Sequence, residues 1–237
     1  MMERTSPRPS LLEKGRRWFE ERLDVEGLVN LALHVEIPEG VRTYFLGGMT
    51  LFFLGVQVIT GILLALYYRP SSESAYESIL YIMNNVRFGW LIRSIHAWSA
   101  NLMIIACLLH MLRIYLQGAY KKPREVTWLV GIVLLLITLG FGFTGYLLPW
   151  DQRAFWATTV GTEIAGAVPV VGDPLLRFLR AGSDVSGLTL SRFYGIHTLV
   201  LPATVILFVG IHLLLIHEQG LAARPGTSAG DEEMEEG

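Results

Sequence analysis

The sequence predicts an all-α integral membrane protein, built as a four-helix bundle. Of its 237 residues, 52% are hydrophobic and only 17% are charged, which is a more apolar composition than that of an average soluble domain. Four long runs contain no charged residue, and two of these runs carry a pair of histidines at nearly the same spacing. The first observation predicts the membrane spans, and the second predicts that the bundle has a function inside the membrane.

The four apolar runs are long enough to cross a bilayer as helices. A spanning helix needs about 20 apolar residues, and the runs cover residues 44–68, 94–112, 126–150 and 193–217. A soluble protein with four buried helices would need amphipathic helices to cover them, and the rest of the chain does not supply these. We therefore expect a multi-pass membrane protein.

The segments between and around the runs complete the predicted organisation. No secretory signal is expected, because the first apolar run begins too far into the chain. Within the N-terminal segment, residues 10–24 have the pattern of an amphipathic surface helix. The three predicted regions are a cytoplasmic N-terminal segment at 1–43, a four-span domain at 44–220 whose loop 151–192 carries short helices near 152–165 and 174–180, and a disordered acidic tail at 221–237.

Lys and Arg indicate the orientation. They are concentrated in the N-terminal segment and in the short loop 117–125, whereas the loop 69–90 has only two arginines. Cytoplasmic loops are enriched in Lys and Arg, so both termini and the loop 117–125 are expected to face the cytoplasm. The predicted location is a membrane that the chain crosses several times. No nucleic acid partner is expected, and the single cysteine excludes an intrachain disulfide framework.

The histidines of the second and fourth runs form two matched pairs. His96 and His110 are fourteen residues apart, and His197 and His212 are fifteen apart. At about 100° and 1.5 Å per residue, each pair lies roughly on one helix face, with its members about 21–22 Å apart along the axis. The two runs point in the same direction, so His96 and His197 share one membrane level and His110 and His212 another.

Two imidazoles facing each other are the axial ligand set of a six-coordinate haem. Zinc is less suited to such a pair, because two imidazoles leave its tetrahedral shell half empty. A single buried histidine most often bonds a backbone carbonyl, but four in equally spaced pairs favour ligation. Ionisable residues inside a membrane are candidates for function by default. The sequence thus predicts two haems stacked in the core of the bundle.

Arginines and glycines accompany the histidines. Arg93 and Arg113 each lie one turn closer to a membrane surface than a histidine, where a guanidinium could bind a haem propionate or simply reach the interface. Four glycines repeat the spacing of fourteen in the first and third runs, which would let a flat ring approach the backbone or let helices pack tightly. These glycines are Gly47 and Gly61, and Gly131 and Gly145.

The motifs together resemble the amino-terminal half of cytochrome b, over roughly residues 15–220. The segments that carry the resemblance are LGGMTLFFLGVQVITG, RSIHAWSANLMIIACLLHMLR, GFTGYLLPWDQRAFWAT and SRFYGIHTLVLP. The start WFEERLD and the second histidine spacing are similar to the short, split form, cytochrome b-six. The resemblance implies a di-haem b subunit of a quinol-oxidising complex of the bc or bf type.

The resemblance also implies roles for individual residues. His96 and His197 would hold the positive-side haem, with Arg93 and Arg192 near it. His110 and His212 would hold the negative-side haem, with Arg113 nearby. Residues 145–157, including Gly145, Pro149 and Trp150, would form a wall of the quinol-oxidation site. Electrons from quinol would pass to a Rieske centre and, through the two b haems, to quinone on the cytoplasmic side, coupled to proton translocation.

The implied partners follow from the same family. They are a Rieske iron–sulfur protein, a separate subunit that carries the C-terminal half of cytochrome b, and a c-type cytochrome or equivalent acceptor, in a dimeric complex. Leu148–Pro149–Trp150 is similar to the longer bacterial and mitochondrial form. Phe45 stands where bf-type proteins have a cysteine that holds an extra covalent haem. The resemblance therefore implies a bacterial complex in the energy-transducing cytoplasmic membrane, with two non-covalent haems and no covalent one.

Two other functions fit parts of the sequence. The chain could be the di-haem membrane anchor of a quinone-linked dehydrogenase, in which case its partner would be an iron–sulfur dehydrogenase. It could also be a haem-free transporter whose histidines relay protons, which would give a colourless protein.

Overall fold

The structure is a computed structural model that describes Ser10 and residues 45–220. The predicted N-terminal segment 1–43, with its surface helix, therefore lies outside the described residues apart from Ser10, as does the predicted acidic tail 221–237. Within residues 45–220 the chain forms eight α-helices and one π-helical turn, and this part contains no strand. The predicted all-α class is confirmed.

The eight α-helices are numbered in chain order. They are α1 (Phe45–Ala65), α2 (Ala75–Asn84), α3 (Gly89–Leu116), α4 (Glu125–Leu147), α5 (Gln152–Gly166), α6 (Gly172–Arg180), α7 (Gly187–Gly195) and α8 (Leu201–Gln219). The π-helical turn Ile196–Val200 joins α7 to α8.

The four predicted membrane spans are confirmed. The helices α1, α3 and α4 and the continuous segment Gly187–Gln219 are each long and apolar enough to cross a bilayer. In a bilayer a helix satisfies every backbone polar group internally, so an uncharged run of this length has little alternative to a helix.

Two helix pairs form the bundle. The helix α1 packs along α3, and α4 packs along α8, while α3 also contacts α4. In contrast, α3 and α8, which carry the four histidines, lack a close backbone approach along their length. The gap between these two helices is where the histidine side chains lie.

Within residues 45–220, a cluster of buried apolar side chains lies at one end of the bundle, where the loops 69–90 and 151–192 meet. Ala75, Leu147, Leu190 and Phe193 are completely buried there. The helix α2 was not predicted from the sequence, although its buried residues Ala75, Ser78 and Ile82 recur at helical spacing.

The loop 151–192 is a folded unit and contains α5 and α6 in the stretch where short helices were expected. Its central polar residue is Arg180, which is 95% buried. The Arg180 guanidinium donates to Thr162 Oγ1 and to the carbonyl oxygens of Thr159 and Ser183, each at 2.8 Å. Thr189 in turn donates to the Arg180 carbonyl at 2.6 Å. These bonds tie α5, α6 and α7 together above the bundle.

The π-helical turn ends two residues before Pro202 in the fourth span. Proline has no N–H and cannot donate to the carbonyl four residues before it. The helical turn is one residue longer at this point, because the Leu201 N–H donates to the carbonyl of Ile196, five residues before it. The turn contains His197, in keeping with the frequent occurrence of π-helical turns at functional sites.

Candidate haem sites

His96 and His197 face each other near the end of the bundle that carries the loop 151–192, and we call them the loop-end pair. His96 lies on α3 and His197 on the π-helical turn. Their ring centroids are 6.4 Å apart, and the ring planes make an angle of 69°. A metal binds an imidazole nitrogen at roughly 2 Å and each ring centre lies roughly 1 Å further out, so two axial rings on one iron have centres roughly 6 Å apart. The loop-end pair fits this separation.

His110 and His212 form a second pair near the other end of the bundle, and we call them the opposite-end pair. His110 lies on α3 and His212 on α8, and the two are close enough to interact electrostatically. Both rings are partly buried. Within the described residues, the Nδ1 atom of each ring is buried without a hydrogen-bond partner, although the Thr127 backbone lies near the His212 ring.

Each of the four predicted glycines faces a different histidine. A Cβ added to Gly145 would lie 2.7 Å from His197 Cε1, and one added to Gly61 would lie 3.4 Å from His96 Cε1. The corresponding distances are 3.3 Å from Gly47 to His110 and 3.7 Å from Gly131 to His212. The neighbouring Gly48 and Gly55 face nothing within 4 Å. The fourteen-residue spacing of the glycines therefore matches the positions of the histidine rings at both membrane levels.

Four polar residues near the loop-end pair were not predicted from the sequence. Gln57 donates to the His96 carbonyl at 2.7 Å and to Ser99 Oγ at 2.6 Å. Thr60 Oγ1 lies 2.8 Å from His96 Nδ1, and Thr144 Oγ1 lies 3.0 Å from His197 Nδ1. A usable signal existed, because Gln57 is an amide in an uncharged run and each threonine directly precedes one of the four glycines.

The three predicted arginines lie in different surroundings. Arg93, one turn before His96, has its Nη1 atom 3.7 Å from Met83 Sδ. Arg113 is partly buried in the last turn of α3, one turn after His110. The described contacts of Arg192 are with α6: its guanidinium stacks on the Phe178 ring at 5.3 Å and bonds the Phe178 carbonyl.

The predicted wall 145–157 forms a rigid corner between α4 and α5. Trp150 has a left-handed φ of 53°, which is uncommon for a bulky residue. The Asp151 side chain accepts a hydrogen bond from the Ala154 N–H at 2.7 Å and caps α5.

The corner is held from the side by Tyr68, whose hydroxyl donates to the Leu148 carbonyl at 2.6 Å. Burial, with a smaller contribution from Tyr194, raises the pKa of the Tyr68 phenol well above its ordinary value. The phenol therefore stays protonated and remains a donor.

This arrangement defines the class of protein. Among the described residues, no group of three or more His, Cys, Asp or Glu side chains could hold a metal ion, whereas four imidazoles lie in two pairs between membrane helices. A haem supplies four of the six iron ligands itself and needs only two from the protein. The fold and the site are those of a membrane cytochrome with b-type haem.

Comparisons with known proteins identify the family. A family model described as cytochrome b/b6/petB matches residues 34–220. Cytochrome b6 of Synechococcus elongatus is 47% identical over 206 residues, which cover 86% of this chain and 96% of that protein. Cytochrome b6 of Gloeobacter violaceus matches to the same extent. The chain belongs to the cytochrome b family.

A solved structure gives the same result for the fold. A chain of a hyperthermophilic respiratory complex III superimposes with a TM-score of 0.76 and 31% identity over 90% of this chain. The present chain spans 59% of the length of that complex III chain. The protein is accordingly a b subunit of a quinol-oxidising membrane complex of the bc or bf type, and it carries b-type haem and works with partner subunits.

Proposed function

We propose that the chain holds two non-covalent b haems and carries electrons across the membrane between them. The loop-end pair, His96 and His197, holds the positive-side haem, and the opposite-end pair, His110 and His212, holds the negative-side haem. The observation that carries this proposal is the glycine pattern, because each of the four histidines faces a glycine on a neighbouring helix. Because the two histidines of each pair lie at the same membrane level, each pair can supply both protein ligands of one haem.

The side chains around each haem have separate tasks. The imidazoles hold the iron, and the glycines leave room beside the rings. The guanidinium groups of Arg93 and Arg113, with Arg192 on the loop side, balance the negative propionates. When bound, haem supplies an iron centre that accepts and releases one electron at a time. The apolar helices keep the surroundings at low dielectric, which strengthens these charge interactions.

Quinol oxidation takes place at the loop end, against the wall 145–157 that includes Gly145, Pro149 and Trp150. The capped start of α5 and the bond from Tyr68 support this wall as a fixed surface. The remaining wall comes from a separate subunit carrying the C-terminal half of cytochrome b, which is supported by the 96% coverage of the cytochrome b6 relatives.

The other proposed partners are a Rieske protein, which takes one electron from quinol, and a c-type cytochrome or equivalent acceptor. Quinone is reduced near the opposite-end pair, and proton release and uptake on opposite sides make the transfer electrogenic. The complex is dimeric and lies in a bacterial cytoplasmic membrane, with both termini of this chain in the cytoplasm.

The test is to purify the tagged chain from its native membrane in mild detergent. We expect two b haems per chain by pyridine haemochrome analysis and a co-purifying Rieske protein by mass spectrometry. Recovery with an iron–sulfur dehydrogenase, and without a Rieske protein, would contradict the proposed complex. A haem-to-chain ratio of one would contradict the two sites.

A further inference from the structure

Threonine hydroxyls contact both histidines of the loop-end pair at the same ring nitrogen, Nδ1. Thr60 on α1 reaches His96 Nδ1 at 2.8 Å, and Thr144 on α4 reaches His197 Nδ1 at 3.0 Å. Both threonines are buried, with 7% and 5% of their surface exposed. Two helices thus supply the same contact to the two members of one pair.

The backbone bonds of the threonines decide which atom carries each proton. Thr60 Oγ1 lies 2.6 Å from the Val56 carbonyl oxygen, and Thr144 Oγ1 lies 2.8 Å from that of Gly140. Two oxygens at these distances need a hydrogen between them, and a hydroxyl has only one to give. The threonines therefore donate to the backbone and accept from the rings. Both rings must carry their hydrogen on Nδ1, which leaves the Nε2 lone pair free.

The opposite-end pair lacks this arrangement. Within the described residues, no side chain bonds the Nδ1 atom of His110 or of His212, and the Thr127 backbone lies near the His212 ring. The residues that precede the corresponding glycines are Leu46 and Val130, which have no hydroxyl. The two sites are therefore similar in their glycines and different in the surroundings of their imidazoles.

We propose that Thr60 and Thr144 are positioning residues that orient His96 and His197 with Nε2 toward the iron and make these two imidazoles stronger electron donors than they would be without the hydroxyls. The proposal rests on the haem ligands proposed above. A ligand imidazole that donates its N–H to an acceptor becomes more basic. A more basic axial ligand favours the ferric state, so the hydroxyls lower the reduction potential of the loop-end haem only.

The experiment replaces each hydroxyl by a methyl group of similar size in the intact complex. Thr60→Val and Thr144→Val remove the acceptor, whereas Thr60→Ser and Thr144→Ser keep it. Thr138→Val is the matched control, because Thr138 is also buried on α4 and donates to a carbonyl four residues before it. Redox titration and electron paramagnetic resonance resolve the two haems in each variant.

We expect both valine variants to raise the potential of one haem, the one that His96→Leu removes, and to shift its g values. The other haem should not change, and the serine variants and Thr138→Val should resemble the wild type. Selective loss of the loop-end haem in the valine variants, with retention in the serine variants, would also support the role of the hydroxyl.

Three results would overturn the proposal. They are unchanged potentials in both valine variants with both haems bound, equal shifts of both haems, and loss of haem from the serine variants as well. The His96→Leu variant, in which both threonines are intact, tests the ligand assignment separately. If that assignment is wrong, this variant will retain two haems.

Discussion

Gly145 and His197 are so close across the interface of α4 and the π-helical turn that a single methyl group on Gly145 would lie 2.7 Å from His197 Cε1. A separation under 3 Å between two carbons is well inside ordinary contact, where heavy atoms are about 3.5–4 Å apart. Either the ring or the helix must move if this glycine is replaced. The His197 ring can therefore occupy its position only because residue 145 has no side chain.

Replacing Gly145 by Ala is expected to weaken the loop-end haem site. Overpacking a filled site costs about 1–3 kcal/mol, which corresponds to roughly fivefold to a hundredfold weaker haem retention. The measurement is the ratio of haem to polypeptide after detergent washing. Gly131→Ala, whose Cβ would lie 3.7 Å from His212, should have a smaller effect. Gly48→Ala faces open space and is the control; an equal loss there would contradict the explanation.

Replacing a proposed ligand should remove one haem of the two. His212→Leu is expected to eliminate the negative-side haem and His96→Leu the positive-side haem, because an aliphatic side chain offers no lone pair to iron. Dithionite-reduced spectra at low temperature measure the two separately. His217→Leu is the matched control, since His217 is exposed near the end of α8. Retention of both haems in His212→Leu would refute the pairing.

The proposed orientation predicts which engineered cysteines can be labelled. Ser183 lies exposed in the loop 151–192, so Ser183→Cys should react with an impermeant thiol reagent in whole cells. Ser228→Cys, in the acidic tail, should react only after the cells are opened, because four spans return the chain to the cytoplasm. The native Cys107 is buried on α3, and labelling of the unmodified chain measures its background reaction. The reverse pattern of labelling would overturn the orientation.

The chain is expected to carry no covalent haem. Phe45 begins α1, at the place where the resemblance to bf-type proteins implies a cysteine, and phenylalanine cannot form a thioether. Cys107, the one thiol in the sequence, is buried one turn before His110. Mass spectrometry of the denatured subunit should give the mass of the polypeptide alone, and peroxidase staining of the gel band should be absent. A mass increased by one haem would identify Cys107 as the attachment site.

Replacing Tyr68 by Phe should loosen the corner at Leu148–Trp150. The lost hydrogen bond contributes about 1 kcal/mol to folding, which thermal unfolding of the detergent-solubilised complex can measure. Burial raises the pKa of this phenol, so its contribution is fully present below about pH 10 and is lost as the pH rises above that value. Tyr76→Phe, on the exposed surface of α2, should leave stability unchanged. A similar loss in both variants would contradict a specific role of the Tyr68 hydroxyl.

The sequence by itself determined the four spans, the all-α class and the family. Long uncharged runs predict spanning helices because the bilayer offers no hydrogen-bond partner to an unpaired backbone group. The spacings of fourteen and fifteen predicted two levels of histidines, since helical rise and rotation per residue are nearly constant. The motif segments then pointed to cytochrome b, and the comparisons confirmed that resemblance.

Only the tertiary structure decided how each helix is oriented about its own axis and at which membrane level the side chains of neighbouring helices meet. That choice pairs each of the four glycines with one histidine, and it brings Thr60 and Thr144 to ring nitrogens of His96 and His197 alone. A hydropathy pattern cannot give these pairs, because an apolar helix has no polar face that fixes its rotation in a membrane. The rotation is set by the packing of α1 on α3 and of α4 on α8, through side chains far apart in the sequence.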